Sequence, residues 1–353
     1  MKKVLTAVVL PWLTLACSAD RTGTLPAPDS SLAPIRLQLN WFHDPTFAGE
    51  YLLADDPSNK TTIAQGGPTI NPVQMLASGV ADAAVMGADI FLKTVAEDVA
   101  KGKPSELVAV FVDFQRNPVG WILHPSVARQ LGYQPSELPS QRDKNGWLFK
   151  ELAAKRLRIG DKRGTETTSI WVQWRKIRQL PPDVFVMPVG FDPEIVLTKA
   201  ALAFPVYLNE EPLKLGERIG EPVVVFDPAA DGIELYGNVV VFRRAFLIAH
   251  KDTVRHFQSA LQKAWIAVRE DRAKAVALTK EVYPDVSDAV LGQQLERTVQ
   301  FVFHNASQPG IMDARDGGAW SRTVGALVEA QLLPPALDMK VLREHLFPLD
   351  GPK

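Results

Sequence analysis

Asn71-Pro72, followed by Leu76, Gly79 and the apolar run Ala83-Ala84-Val85-Met86, returns 121 residues later as Asp192-Pro193, followed by Leu197, Ala200 and Phe204-Pro205-Val206-Tyr207. Each copy reads as a capped helix, a tight turn and a strand. Asn and Asp are favoured N-caps, and proline suits a first helical turn because the N–H it lacks has no partner there. Gly79 ends the first helix, with Ala200 as its counterpart. The segments ahead of the two copies also match. Ile35-Arg36-Leu37-Gln38-Leu39 alternates as a strand does, and so does Leu157-Arg158-Ile159. A unit doubled in this way predicts an α/β fold of two similar lobes. Two lobes enclose a cleft, and clefts hold small molecules.

Working outward, strands are predicted near 35–39, 62–64, 83–86 and 107–112 in one lobe. The other is expected to hold strands near 120–123, 158–160, 184–188, 204–207 and 221–226, with 238–242 bringing the chain back. Residues 130–145 are polar and bear proline, which predicts a surface excursion. The remainder reads as helices. One is capped by Asp252 and carries Val254, Phe257, Leu261, Ala264, Trp265 and Val268 at the helical period. Others are expected over 273–282, 290–301 and 320–332. These helices most simply pack on the first lobe, which makes the second an insertion. The expected division is 34–115 plus 236–345 for the first lobe and 116–235 for the second. Crossings near 113–119 and 227–237 then form a hinge.

A chain of 353 residues with 46% hydrophobic residues has ample core for such a fold, and its net charge of -1 offers no electrostatic footprint for nucleic acid. The single cysteine, Cys17, excludes an internal disulfide framework and a cysteine-based zinc site. Lys2-Lys3, a short apolar core over 4–15 and Thr14-Leu15-Ala16-Cys17 resemble a bacterial lipoprotein signal, in which residues 1–17 end at a cysteine that receives lipid. An ordinary signal peptide cleaved near Ala16 or Ala19 is the other reading. The apolar stretch is too short to span a bilayer, and export follows either way. Residues 18–33 read as a tether.

In α/β sheets ligands bind where strands end in loops. That rule nominates the loops after Leu39, around Gln65, after Met86 at Asp89, after Gly160 and after Tyr207. Trp41, Phe42 and Phe47 cluster past the first strand. Tyr207 ends the matching strand, followed by Asn209, Glu210 and Glu211, and Tyr236 sits by the second crossing. Rings from two lobes predict a sandwich around a flat guest, with an amide and a carboxylate at its edge. Which of Glu210 and Glu211 faces inward is left open. Gly164-Thr165-Glu166-Thr167-Thr168 opens a helix, where Thr165 either caps the helix or meets a polar ligand group. Catalytic signatures are missing: no Gly-x-Ser-x-Gly, no phosphate-binding loop, and six histidines (43, 124, 250, 256, 304, 345) without metal-ligand spacing. No cofactor or metal is expected. His43 alone falls near the predicted cleft.

Leu39-Asn40-Trp41-Phe42-His43-Asp44-Pro45-Thr46-Phe47-Ala48-Gly49-Glu50-Tyr51 resembles the opening of the substrate-binding proteins of ABC importers, in the branch that carries thiamine-pyrimidine precursors. Met75-Leu76-Ala77-Ser78-Gly79-Val80-Ala81-Asp82, Val189-Gly190-Phe191-Asp192-Pro193-Glu194 and Phe204-Pro205-Val206-Tyr207-Leu208-Asn209-Glu210-Glu211-Pro212 are similar to later motifs of the same family. The resemblance implies a type II periplasmic-binding-protein fold that closes on its ligand. It implies ring contacts at Trp41 and Tyr207, and polar contacts near Asn40, Asn209 and Glu210 or Glu211. It also implies a permease and its ATPase as partners, a monomer, and a place in the periplasm or cell envelope. Related eukaryotic enzymes use a cysteine-rich iron-binding motif, and a chain with Cys17 alone is not expected to share that activity. Three functions follow as expectations. The first is a binding protein for a planar nitrogen heterocycle such as a thiamine precursor. The second is a binding protein for an anion such as an alkanesulfonate or nitrate, held by Lys162, Arg163 and Arg116, or for a riboflavin-like ligand. The third is an envelope enzyme on the same scaffold, using His43.

Overall fold

The computed structural model describes residues 32–181, 184–335 and 337–347. Cys17, the leader and nearly all of the tether lie outside the described residues. Among the described residues ten strands form: β1 (Ile35–Gln38), β2 (Thr61–Ala64), β3 (Ala83–Gly87), β4 (Leu107–Val112), β5 (Val119–Leu123), β6 (Arg158–Asp161), β7 (Val186–Pro188), β8 (Leu202–Tyr207), β9 (Val224–Phe226) and β10 (Asn238–Arg243). The helices of the first half are α1 (Ala48–Asp55), α2 (Pro72–Ala77), α3 (Ala88–Ala100), α4 (Pro125–Gln130), α5 (Gln141–Ala153), α6 (Glu166–Ile177) and α7 (Glu211–Ile219). Then come α8 (Arg244–Ala249), α9 (Lys251–Glu270), α10 (Arg272–Val282), α11 (Asp288–Val302), α12 (Ala319–Glu329) and α13 (Met339–Arg343).

Two five-stranded sheets result, ordered β2-β1-β3-β10-β4 and β7-β6-β8-β5-β9. Each has its fourth strand antiparallel to its neighbours, contributed by the other passage of chain. Ala83-Ala84-Val85-Met86 is buried on both faces, as parallel strands covered by helices are.

The repeat is present with two differences. Asn71 accepts from Val73 N and Gln74 N and starts an α-helix, whereas Asp192 accepts from Glu194 N and starts a 3-10 helix, Pro193–Thr198. The left-handed turn residue is Gly79 in the first copy (φ 73) and Lys199, not Ala200, in the second (φ 58). The second turn is shorter, so the register pairs Leu37 with Ala83 in one sheet and Arg158 with Leu202 in the other.

The C-terminal helices pack as their periodicity predicts. Val254, Phe257, Leu261, Trp265 and Val268 of α9 are buried, and α9 lies on α1 and β4. Asp252 sits in the first turn of α9; the cap is His250. Residues 130–144 are mostly exposed, as a surface excursion is, but the excursion ends in a helix. Ser140 and Asp143 form a capping box that begins α5, and Asn145 is wholly buried, donating to Asp227 O (2.8 Å) and Asp231 Oδ2 (3.1 Å). The polar residues there serve a helix start and a buried amide.

The chain passes between the sheets twice, from β4 to β5 and from β9 to β10. The two passages are bonded side by side: Asn117 N donates to Leu235 O (2.6 Å), Gly237 N to Phe114 O (3.0 Å) and Asp113 N to Asn238 O (2.9 Å). Helix α11 also reaches the second sheet, where Gln294 Nε2 donates to Glu210 O (3.2 Å) and Arg297 Nη1 to Leu208 O (3.2 Å).

Candidate functional site

The carboxyl ends of the parallel strands of both sheets face one cavity of about 260 Å³. That is just below the roughly 300–1,000 Å³ of drug-sized ligand sites, and suits a compact guest. From the first sheet it takes Asn40 and Trp41 after β1, Gly67 after β2, Gly87 and Asp89 after β3, and Asn238 at the start of β10. From the second it takes Lys162, Thr165 and Glu166 after β6, Phe191 after β7, and Tyr207, Glu210 and Glu211 after β8. Asp44, Thr46 and Phe47 close one side.

Local sequence explains why Trp41 stands there. The buried amide of Gln38 donates to Leu39 O (2.9 Å), Ala64 O (3.2 Å) and Gln65 O (2.9 Å), tying the two loops together. Gly66 N donates to Trp41 O (2.9 Å). A Cβ on Gly66 would lie 2.3 Å from Leu39 O, so only glycine lets the loops approach this closely. The indole then meets Phe191 of the other sheet at 5.5 Å between ring centres, and Phe42 edge-on at 5.5 Å. Tyr207 packs instead against Phe114 at 6.5 Å. The aromatic opposite Trp41 is therefore Phe191.

Five carboxylic acids line the cavity (Asp44, Asp89, Glu166, Glu210, Glu211) against one basic residue, Lys162. Asp44 is buried and accepts from Thr46 N (2.6 Å); burial and then the Glu210 charge hold its carboxyl well above the usual range. Burial raises Glu210, whose Oε1 accepts from Tyr283 OH (2.9 Å). Burial and the neighbouring Glu210 push Glu211 up to about 7. Its Oε2 accepts from Tyr207 N (2.9 Å). Burial and the Asp89 charge push Glu166 up to about 7, and it accepts from Tyr207 OH (3.1 Å). Burial also keeps the Tyr207 phenol neutral. Crowded, desolvated carboxyls hold protons to unusually high pH, because each negative charge disfavours the next. A cation entering such a site relieves both penalties.

Eight residues singled out from the sequence line this cavity: Asn40, Trp41, Phe47, Asp89, Thr165, Tyr207, Glu210 and Glu211. Both glutamates of the pair face it. Four others do not line it. Phe42 is 48% exposed and borders an adjoining outer cavity with His43. Gln65 is exposed, and its backbone oxygen is engaged by Gln38. Asn209 points behind the strand end, where its Nδ2 donates to Thr46 Oγ1 (3.3 Å) and Thr298 Oγ1 (3.1 Å). Tyr236 is in the core 5.1 Å from the Trp320 ring; its hydroxyl donates to Ile311 O (3.2 Å) and accepts from Asp313 N (2.8 Å). Thr165 is spent largely on capping α6, accepting from Thr167 N and donating to Lys162 O (2.7 Å).

The set of cations expected for an anion does not converge. Lys162 lines the cavity, with its ammonium 5.4 Å from the centre of the Phe191 ring. Arg163 is exposed. Arg116 pairs with Asp227 and lies over Phe301, bordering a different cavity. His43 Nδ1 is bonded to Tyr51 OH (3.1 Å) and burial lowers its pKa. No sequence signal pointed to Asn238, whose Oδ1 accepts from Asn40 Nδ2 (3.3 Å). Asp44 and Phe191 stood only within longer motifs; their places depend on loops meeting across the cleft.

A family profile described as "NMT1/THI5 like" matches residues 60–275. None of the curated proteins compared matches the sequence. Among solved structures, the alkanesulfonate-binding protein SsuA from Xanthomonas axonopodis pv. citri, bound to MOPS, superposes with a TM-score of 0.60 at 14% identity, covering 90% of this chain and 99% of that one. The periplasmic nitrate-binding protein NrtA from Synechocystis PCC 6803 gives 0.61 at 13% identity, with 89% and 86% covered. The periplasmic aliphatic sulphonate binding protein SsuA from Escherichia coli gives 0.58 at 15% identity, with 89% and 97% covered. The fold is that of the type II periplasmic binding proteins.

Proposed function

The chain belongs to the NMT1/THI5-like family, and from that premise we propose that it is the substrate-binding protein of an ABC importer, one that captures a small planar nitrogen heterocycle and delivers it to a membrane permease and its ATPase. On this reading it works in the periplasm or cell envelope, held by lipid on Cys17. Residues 34–115 with 236–345 act as one lobe and 116–235 as the other, closing about the paired crossings. The protein binds and does not transform its ligand.

The observation that carries this reading is the composition of the cavity: five acids and one base around Trp41, Phe191 and Tyr207. Flat rings supply stacking of ~0.5–1.5 kcal/mol each beyond burial. Carboxyls at the edge accept from ring amino groups, and the water-poor cleft strengthens those bonds. An anion such as a sulfonate or nitrate has Lys162 as its support and meets the acids as repulsion.

Thermal-shift and calorimetric titrations test the reading, with the hydroxymethyl-aminopyrimidine precursor of thiamine, riboflavin, an alkanesulfonate and nitrate as probes. Binding of the aminopyrimidine, weakened at least tenfold by Glu211→Gln, is expected. Saturable binding of sulfonate or nitrate with none of the aminopyrimidine overturns it.

A further inference from the structure

Asp89 carries an oxygen that the protein leaves unused. Its side chain is 3% exposed, it lines the cavity, and its Oδ1 has no hydrogen-bond partner. The other oxygen, Oδ2, is held by Lys93 Nζ at 2.9 Å, and the same ammonium donates to Gly164 O of the facing loop. Lys93 therefore holds the carboxyl through Oδ2 and leaves Oδ1, beside Gly87 of the cavity wall, without a donor. A buried acceptor with no donor is rare in a finished structure and calls for a ligand or water.

Glu166 of the other sheet stands opposite. Its Oε1 is taken by Tyr207 OH. Its Oε2 lies 3.8 Å from the position of a Cβ built on Gly87, and Asp89 Oδ1 lies 2.4 Å from that same point. Those two distances together bound the gap between the oxygens. They place the oxygens no more than 6.2 Å apart, within reach of the two nitrogens of a single amidinium at charge-assisted distances of about 2.8 Å. Gly87 keeps the gap clear, because any side chain there would collide with Oδ1. Each acid occupies the first turn of a helix, Asp89 in α3 and Glu166 in α6, so the positive end of a helix dipole lies beside each carboxyl.

We propose that Asp89 and Glu166 form a cation subsite, separate from the Glu210–Glu211 end of the cavity, that takes a protonated nitrogen group of the ligand and joins the two sheets through it. This rests on the reading of the cavity as the ligand site and narrows its substrate class. Tyr207 sets the spacing of the two acidic ends, since its backbone N–H binds Glu211 and its hydroxyl binds Glu166. A flat ligand about as long as a tyrosine side chain, with a basic amidine or amine at one end and an amino group at the other, meets both. One carboxylate from each sheet on a single cation also makes closure depend on that charge.

The test compares benzamidine, a planar cation, with benzamide, its neutral isostere, by calorimetry on the mature chain. Benzamidine is expected to bind and benzamide to bind at least tenfold more weakly. Asp89→Asn and Glu166→Gln should each weaken benzamidine at least tenfold, with the double variant abolishing the preference for the cation. Unfolding curves of the unliganded variants confirm that they fold, and Glu166→Gln retains an acceptor for Tyr207, so it serves if Asp89→Asn does not. Equal affinity for the two probes, or benzamidine binding unchanged in both variants, overturns the subsite. If benzamidine fails to bind while the hydroxymethyl-aminopyrimidine does, the subsite falls and the cavity reading stands. If no probe of either series binds, both fall.

Discussion

Replacing Asp113 by Asn should make the protein more stable at alkaline pH and flatten its stability profile. Asp113 and Glu50 are buried together at 2% and 0% exposure, and none of their four carboxyl oxygens has a hydrogen bond of good geometry. Burial pushes Asp113 from 3.8 up to about 7. Burial and then the Asp113 charge hold Glu50 well above its usual range. The pair is most favourable sharing a proton, and two charges there are strongly opposed. The sign follows from proton counts. Folding raises the pKa, so the folded protein keeps a proton that the unfolded chain has released. The stabilisation is complete below 3.8 and is lost as pH climbs to about 7. At about 1.4 kcal/mol per pH unit, that gap corresponds to roughly 4 kcal/mol. Asn keeps the shape, removes one charge and can donate to Glu50. At pH 8 the Asp113→Asn variant should exceed the parent by roughly 2–4 kcal/mol, and at pH 4 the two should nearly coincide. Urea unfolding at pH 4, 5, 6, 7 and 8 measures this, with the slope m as a check on two-state behaviour. Parallel pH profiles for parent and variant would refute the reasoning.

Two further outcomes are expected. Asn209→Ala removes the buried amide that joins Thr46 to Thr298 and should cost ~1–3 kcal/mol in urea unfolding; a change below ~0.5 kcal/mol counts against a structural role for this side chain. Gly66→Ala places a Cβ against Leu39 O and the backbone of Asn40 and Trp41. It should shift tryptophan emission and weaken the binding of the aminopyrimidine probe at least tenfold, and an unchanged spectrum with unchanged affinity contradicts the close-approach argument.

The doubled architecture was legible because it is written in short-range chemistry. Asn71-Pro72 and Asp192-Pro193 are local caps, the run from Ala83 to Met86 is a local period, and the α9 stripe repeats within the helix. The capping box at Ser140 and Asp143 was equally local, yet the polar composition around it masked a helix. The site was legible where a residue stands directly at a strand end, as Trp41, Asp89, Tyr207 and Glu211 do. It was illegible where the chain turns behind the strand, as at Asn209, or returns from a distant passage, as at Asn238.

By itself, then, the sequence determined the repeated units: the strands and capped turns that come in two matching sets, the C-terminal helices, and which strand ends carry rings and acids. Only the tertiary structure decided which of those groups meet. Phe191 rather than Tyr207 faces Trp41, Tyr236 is in the core, and Arg116 and Arg163 stay away while five acids converge. The physical reason is range. Helix period and capping act over a few residues, whereas the meeting of Asp89 with Glu166 depends on two sheets brought together by two chain crossings, and no local pattern encodes that distance.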